Sequence, residues 1–502
     1  MDEQKERFIS YLLTTGALAV FDDLKDDRTL KSGRISPWFV NMGDFNDGKS
    51  TNVLGNAYAT KIIESGLKFD TLYGIPEKGV ALAIATSMGL ANQGDKSINV
   101  PWFFTRKDEK SHGEASKLGP DERIKKLTVG RAPEKGAKIL QLDDVMAAGT
   151  AKYDARKELE SLGDFNYPYL VIALDRQEVG TSASGESAID QYEKKTGTKV
   201  ISALSAEDVL DYLNTNFKKN GNIVYASGEE FISEAKLGRS IERISNYLRV
   251  YGTESARNFV VDKFGKLEQT IISRDRSVVP ACDVSSIEEF EKLVEQTAGV
   301  EGIGGYKIGF ELGLGYGLPK VAETARKHTD KPLIYDHQKA GTDIPATGRN
   351  FARVLKNSGI DTVILFPQAG PETERAWIYH ALDAGLKVIV GGRMTHPSYA
   401  VSEGGFITDE GALDMYRIAA RAGVNNFVVP GNKPDVIKTV REVIEAEGVK
   451  KPVFYAPGFI AQGGKISDAA KVAGDYFHGI VGTGIYVAPD MKVAATELTS
   501  QL

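Results

Sequence analysis

AKILQLDDVMAAGTA, residues 137–151, decides how the first half of the chain folds. An apolar, β-rich run closes on two adjacent acids, Asp143 and Asp144, and passes through the small residues Ala147, Ala148, Gly149 and Thr150 before a helical pattern begins. A strand that feeds a small-residue loop and a helix N-terminus offers backbone N–H groups and a hydroxyl to a phosphate, while neighbouring carboxylates grip sugar hydroxyls. The plainer reading of two aspartates before a turn is a solvent-facing helix cap. This run alone leaves both readings open.

Outward from it, residues 7–215 alternate helical stretches with β-rich runs at Thr71–Gly74, Val100–Phe104, Ala137–Leu142 and Tyr169–Leu174, the mark of an α/β sheet. A second series starts near Ser277, with apolar runs SVVPACDV, GIGGYKIGF, KPLIYD, DTVILF, LKVIVGG, NNFVVP, PVFYAP and HGIVGTGIYV, most of them separated by helical segments. About eight strands alternating with helices over roughly 225 residues is what a TIM (β/α)8 barrel requires. Between the two series, Leu237, Ile241, Ile244 and Leu248 recur at helical spacing, so one face of that helix is expected to be buried. The expected division is a first domain over residues 1–215, a helical linker over 216–270 and a barrel over 271–502.

Composition narrows the classes of function. The 502 residues include 42% hydrophobic and 26% charged side chains, the balance of a globular protein, with no apolar run of the ~20 residues a membrane span needs. Cys282 is the only cysteine, which excludes an internal disulfide and a thiolate-rich zinc site. With an N-terminus that lacks a secretory pattern, this points to the cytoplasm. A net charge of −6 gives no general attraction to nucleic acid, so phosphorylated ligands must be met by local loops and helix ends.

The quoted run resembles the phosphoribosyl diphosphate (PRPP) motif of type I phosphoribosyltransferases, whose fold is built on a central, mostly parallel sheet. Five further segments resemble the orotate phosphoribosyltransferase family. In LKSGRISPWFVNMG (30–43), Lys31 and Phe39 match positions that contact orotate or diphosphate. YGIPEKGVALA places Lys78 in the diphosphate loop, and FTRKDEKSHGE places Arg106, Lys107, Lys110 and His112 in the family's catalytic loop. LDRQEVG puts Arg176 where the family holds the orotate carboxylate, and residues 187–213 are similar to the family's C-terminal end. The resemblance implies substrates orotate and PRPP, Mg²⁺ held mainly by PRPP with no direct protein ligand, a catalytic role for Asp144, ribose and phosphate contacts from Asp143, Ala148, Gly149 and Thr150, and a homodimer or higher homo-oligomer. Clustered Lys and Arg suit such a reaction, because negative charge grows on the leaving diphosphate. Ala147 departs from the family, which commonly has Thr there.

In the second series, ionisable residues fall where barrel strands end, the place such folds keep their chemistry. Asp283 closes the first run, Lys307 lies in the second, and Asp336, Lys339 and Asp343 follow the third in YDHQKAGTDIPATG. A lysine flanked by two carboxylates stays protonated. The set resembles the orotidine-5′-phosphate decarboxylase superfamily. That resemblance implies that Asp336 presses on the substrate carboxylate, Lys339 protonates the C6 carbanion, Lys307 orients the array and Asp343 comes from a partner subunit, without a cofactor. Thr395 in MTHP matches a pyrimidine contact; Gln462, Gly463 and Gly464 in APGFIAQGG, and Gly482 and Thr483 in VGTGIY, match phosphate loops. Two departures stand out: the family spacing is Asp, one residue, Lys, two residues, Asp, and Thr483 replaces its phosphate-binding Arg.

Together the resemblances imply orotate and PRPP going to orotidine 5′-phosphate and diphosphate, then to UMP and CO2, with no nucleic-acid or membrane partner. One alternative gives the barrel a metal-dependent sugar-phosphate decarboxylase or aldolase activity. Another makes the first domain a PRPP-sensing regulator, against which stand Arg106, Lys107 and Lys110 and the lack of a DNA-binding segment.

Overall fold

The computed structural model describes residues 3–106, 123–146, 150–221, 223–224, 230–267, 269–337 and 341–502. They form two compact units, one of Met1–Gly180, Ser184–Leu248 and Gly252–Lys263, the other of Thr181–Ala183, Arg249–Tyr251 and Phe264–Leu502.

The first unit is built on a six-stranded sheet in the order Lys199–Ser205, Asn166–Asp175, Lys138–Val145, Thr71–Gly74, Trp102–Thr105 and Thr128–Gly130. All pairs are parallel except the last. The central strands are buried along most of their length, including every residue of Thr71–Gly74 and Leu170–Leu174. This explains why they read as continuous apolar runs and not as alternating ones. The parallel register, Gly74 beside Leu142 and Val145 beside Leu174, brings the carboxyl ends of three strands together at one edge of the sheet. Capping boxes at Ser187 and Ser205 start the helices Ala188–Thr196 and Ala206–Asn220, as short polar side chains satisfy the first free N–H groups.

The segment expected as a separate linker over 216–270 is divided near residue 264, most of it belonging to the first unit. In its long helix Glu234–Tyr251 the stripe Leu237, Ile241, Ile244 and Leu248 is buried as its spacing predicts. What pins it is a charge. Arg243, fully buried, grips both oxygens of the equally buried Asp27 at 2.8 Å each and donates to the Phe21 carbonyl at 3.1 Å.

The second unit is a closed barrel of eight parallel strands: Arg276–Cys282, Tyr306–Ile308, Leu333–Tyr335, Thr362–Leu365, Lys387–Gly391, Asn426–Val428, Val453–Ala456 and Phe477–Val481. Each lies inside one of the eight apolar runs, apart from the end residues Arg276 and Phe477. The last strand pairs with the first, Arg276 beside Phe477, so the sheet has no free edge. Val279, Ala281, Ile334, Ile364, Ile389, Val428, Tyr455 and Ile480 share one core. His478 is also buried, 2.7 Å from the Ser277 hydroxyl, and burial pulls its imidazole down from 6.5 to about 3. Among the described residues no helix is long and apolar enough to cross a membrane.

Two outcomes follow from these buried charges. Asp27→Ala, which strands the Arg243 cation, is expected to cost about 3–5 kcal/mol, read as a lower urea midpoint for the first unit, whereas Asp27→Leu with Arg243→Met should cost less. For His478 the unfolded chain takes up a proton below pH 6.5 while the folded chain stays neutral to about 3. Stability of the barrel is therefore lost as pH falls through that window, by up to ~1.4 kcal/mol per unit. Urea unfolding at pH 7.5 and 5.0 should show a smaller difference in His478→Gln than in the wild type; equal differences would remove His478 from the account.

Candidate active sites

In the first unit the strand Lys138–Val145 carries Asp143 and Asp144 at its end, and the helix Thr150–Leu162 begins shortly beyond. The two acids are held differently. One Asp143 oxygen lies 2.5 Å from Lys152 Nζ and the other accepts the Asp144 amide at 2.9 Å. The Tyr58 hydroxyl donates to the Asp143 carbonyl at 2.7 Å. Burial raises the Asp143 carboxyl, and the Lys152 ammonium opposes that rise. Asp144 takes the Val145 amide at 2.7 Å and the Lys78 ammonium at 2.7 Å. Lys78 precedes the helix Gly79–Ala91 and is 55% exposed.

Arg176, at the end of the neighbouring strand, is not free. Its guanidinium lies 3.9 Å over the Trp38 ring, donates to Glu178 at 2.7 Å and reaches the Ser36 hydroxyl at 2.9 Å. Burial lowers its basicity, but the Glu178 carboxylate outweighs this and holds the guanidinium above its ordinary value. Glu178 also takes Arg34 at 3.3 Å, while Arg34 donates to the Val179 carbonyl at 2.8 Å. Phe39 is half-buried in the strand Trp38–Val40; Lys31 and Arg106 are exposed. Lys107, Lys110, His112, Ala147, Ala148 and Gly149 lie outside the described residues, and Thr150 opens its helix.

In the barrel, strand adjacency assembles a second cluster. Ala281 pairs with Lys307 and Lys307 with Ile334, so residues one or two places further along converge at the same end. Lys307 Nζ lies 3.3 Å from Asp283 and 3.4 Å from Asp336. Lys307 and Asp336 are buried, with Asp283 half-exposed at 29%. Burial lowers the basicity of this lysine; Asp336 and Asp283 outweigh it and raise the ammonium above its usual range. The structure thus gives the lysine between two carboxylates as Lys307. Lys339 lies outside the described residues, and Asp343 is exposed in the loop leading to the helix Thr347–Asn357.

Opposite, three loops meet at Gly458. A Cβ there would stand 2.9 Å from Thr395 Cγ2, 3.3 Å from Asn432 Oδ1 and 3.3 Å from Gln462 Oε1. Asn432 donates to the Thr395 carbonyl at 3.1 Å, leaving its buried Oδ1 without a partner among the described residues. Ile460 holds φ +61°, a conformation costly for a β-branched residue. Gln462, Gly463 and Thr483 are exposed; Gly464 and Gly482 are half-buried. Sequence reasoning missed Lys152, Tyr58, Glu178 and Asn432. Of these Lys152 left a signal, since a cation in the first turn of a helix opposes the helix dipole and calls for a nearby anion.

Residues 276–498 match the family model Orotidine 5'-phosphate decarboxylase / HUMPS family. The N-terminal part is similar to the orotate phosphoribosyltransferase of Neisseria meningitidis serogroup C (strain 053442), 37% identical over 255 residues, which cover 51% of this chain and 100% of that protein. It is also similar to the orotate phosphoribosyltransferase of Marinobacter nauticus (strain ATCC 700491 / DSM 11845 / VT8), 39% identical over 217 residues, 43% of this chain and 91% of that protein. A crystal structure of orotidine 5'-monophosphate decarboxylase from Methanocaldococcus jannaschii, complexed with inhibitor BMP, is 26% identical and covers 45% of this chain and 98% of its own, with a TM-score of 0.40.

The loop at Gly464 yields a direct test. A Cβ on Gly464 would stand 2.5 Å from the Gly458 carbonyl and 3.1 Å from Asn432 Cα, backbone that has to move. Gly464→Ala is expected to weaken binding of a nucleoside monophosphate by on the order of tenfold in calorimetry; unchanged affinity would take the loop out of the site.

Proposed function

The chain belongs to the orotate phosphoribosyltransferase family and continues into an orotidine 5′-phosphate decarboxylase family barrel, so it makes UMP from orotate in two steps, and we propose that its two strand-end clusters are where those steps occur. In the first, a ring nitrogen of orotate displaces diphosphate from C1 of PRPP. Lys78, with Arg106, Lys107, Lys110 and His112, neutralises the departing diphosphate. Asp144 holds the ribose hydroxyls, and the loop through Ala148, Gly149 and Thr150 holds the 5′-phosphate on backbone N–H groups. Arg176, with Lys31 and Phe39, seats the orotate.

Among the described residues no three His, Cys, Asp or Glu side chains gather as a metal cage. The donors fit an ion carried in by its substrate: Asp143 is taken by Lys152, and Asp144 is the carboxylate with an exchangeable partner. When bound, Mg²⁺ supplies positive charge to diphosphate and ribose oxygens.

In the second step the buried Lys307 between Asp283 and Asp336 carries the reading. Asp336, fixed and fully buried, lies where it repels the substrate carboxylate and favours loss of CO2. Lys339 takes the place of proton donor to C6, and Lys307 fixes the array in place, needing no cofactor because the carbanion is met by fixed ammonium charge. Thr395 and Gln462 face the pyrimidine and phosphate, Gly463, Gly464, Gly482 and Thr483 the phosphate. Asp343 joins from a second copy, in a homodimer or higher homo-oligomer, and the proposed setting is the cytoplasm.

The purified chain given orotate, PRPP and Mg²⁺ is expected to consume orotate and release CO2. In Lys307→Met, decarboxylation should fall roughly 100- to 1,000-fold and orotidine 5′-phosphate should accumulate. Wild-type accumulation of that intermediate would reject the barrel's role. With orotidine 5′-phosphate supplied directly, a rate abolished by EDTA would move the barrel to metal-dependent chemistry.

A further inference from the structure

Lys152 sits in the first turn of the helix Thr150–Leu162, where the helix dipole disfavours a cation, and it is nonetheless 5% exposed. Among the described residues its ammonium meets the Asp143 carboxylate at 2.5 Å and the Val145 carbonyl at 2.7 Å. With the Asp144 amide on its other oxygen at 2.9 Å, the buried Asp143 carboxylate is committed inside the protein on both sides. Asp144 differs. Its cation, Lys78, is half out in solvent, and an exposed lysine changes partner at little cost.

We propose that Lys152 is a positioning residue of the transferase: it locks Asp143 in place at the end of its strand, leaving Asp144 as the carboxylate freed for the ribose when Lys78 passes to the diphosphate. This rests on the reading that this end of the sheet binds PRPP. The two adjacent aspartates are then unequal. Asp143 needs its charge because Lys152 is buried against it, and Lys152 needs Asp143 for the same reason; removing one alone strands the other. Removing both leaves a neutral pair of similar size.

The test is steady-state kinetics of orotate consumption by the full chain with Mg²⁺, varying PRPP, in Asp143→Asn, Asp144→Asn, Lys152→Met and the double variant Asp143→Asn with Lys152→Met. Lys152→Met is expected to raise the KM for PRPP roughly tenfold with a smaller change in kcat, and the double variant to return to within about threefold of wild type. Asp144→Asn should lose on the order of 100-fold in kcat/KM. A double variant as impaired as Asp144→Asn would overturn the proposal, because Asp143 would then itself grip the ribose. If Lys152→Met does not fold, shown by its melting curve, Asp143→Asn against Asp144→Asn decides: equal losses overturn the assignment, and a loss at least about ten times smaller in Asp143→Asn supports it. A wild-type chain that consumes no orotate would instead defeat the transferase reading on which the proposal stands.

Discussion

A carboxylate taken out of water at the end of a β-strand must meet a cation within a few ångströms, or it takes up a proton and loses its charge. Both units are organised around this condition. Parallel strands bring their carboxyl ends to one edge, and the acids placed there are Asp143 and Asp144 in the sheet, Asp283 and Asp336 in the barrel. Among the described residues each pair meets lysine: Lys152 and Lys78 in the first case, Lys307 in the second. The pairings differ. In the sheet each acid faces its own lysine, while in the barrel one buried ammonium lies between both carboxylates.

That contrast suits the two reactions. Transfer of the ribosyl group requires carboxylates to hold hydroxyls and cations to draw off diphosphate, so the ion pairs of the resting site are ones the substrate can exchange into. Decarboxylation gains from the opposite arrangement, a negative charge that stays put when a second carboxylate is brought against it. Burial holds Asp336 in place, 3.4 Å from the Lys307 ammonium. A net charge of −6 is compatible with phosphorylated ligands where small-residue loops and backbone N–H groups meet them locally.

The parts of this legible from sequence are those set by local pattern. Eight apolar runs announced eight barrel strands because each strand is buried on both faces; Asp283 and Lys307 were legible as residues of the first two runs, and their pairing came from the adjacency of sequential barrel strands. The stripe on Glu234–Tyr251 was legible for the same kind of reason. Arg243 was not, since its partner Asp27 is 216 residues away and a buried arginine inside a charged helix reads as a solvated one. Arg176 was legible as a functional arginine, but its stacking on Trp38 and its tie to Glu178 depend on how a distant hairpin packs. Lys152 directly follows the stretch that decided the fold, yet its partner depends on where the helix begins.

The altered acid–lysine–acid spacing yields to the same geometry. Along an extended strand side chains alternate, so residues two apart share a face. Tyr335 and His337 do so, with the tyrosine hydroxyl against the His337 ring, which sets Asp336 on the opposite face, toward Lys307. A lysine two residues after Asp336 would continue on that face without a turn. Lys339, three residues after it, would point the other way if the chain stayed extended. For Lys339 to act beside Asp336 the backbone must leave the extended path after His337, and the added residue before Asp343 then lengthens the same excursion. The altered spacing falls after His337, beyond the strands, while strand pairing holds Asp283, Lys307 and Asp336 together at the end proposed for decarboxylation.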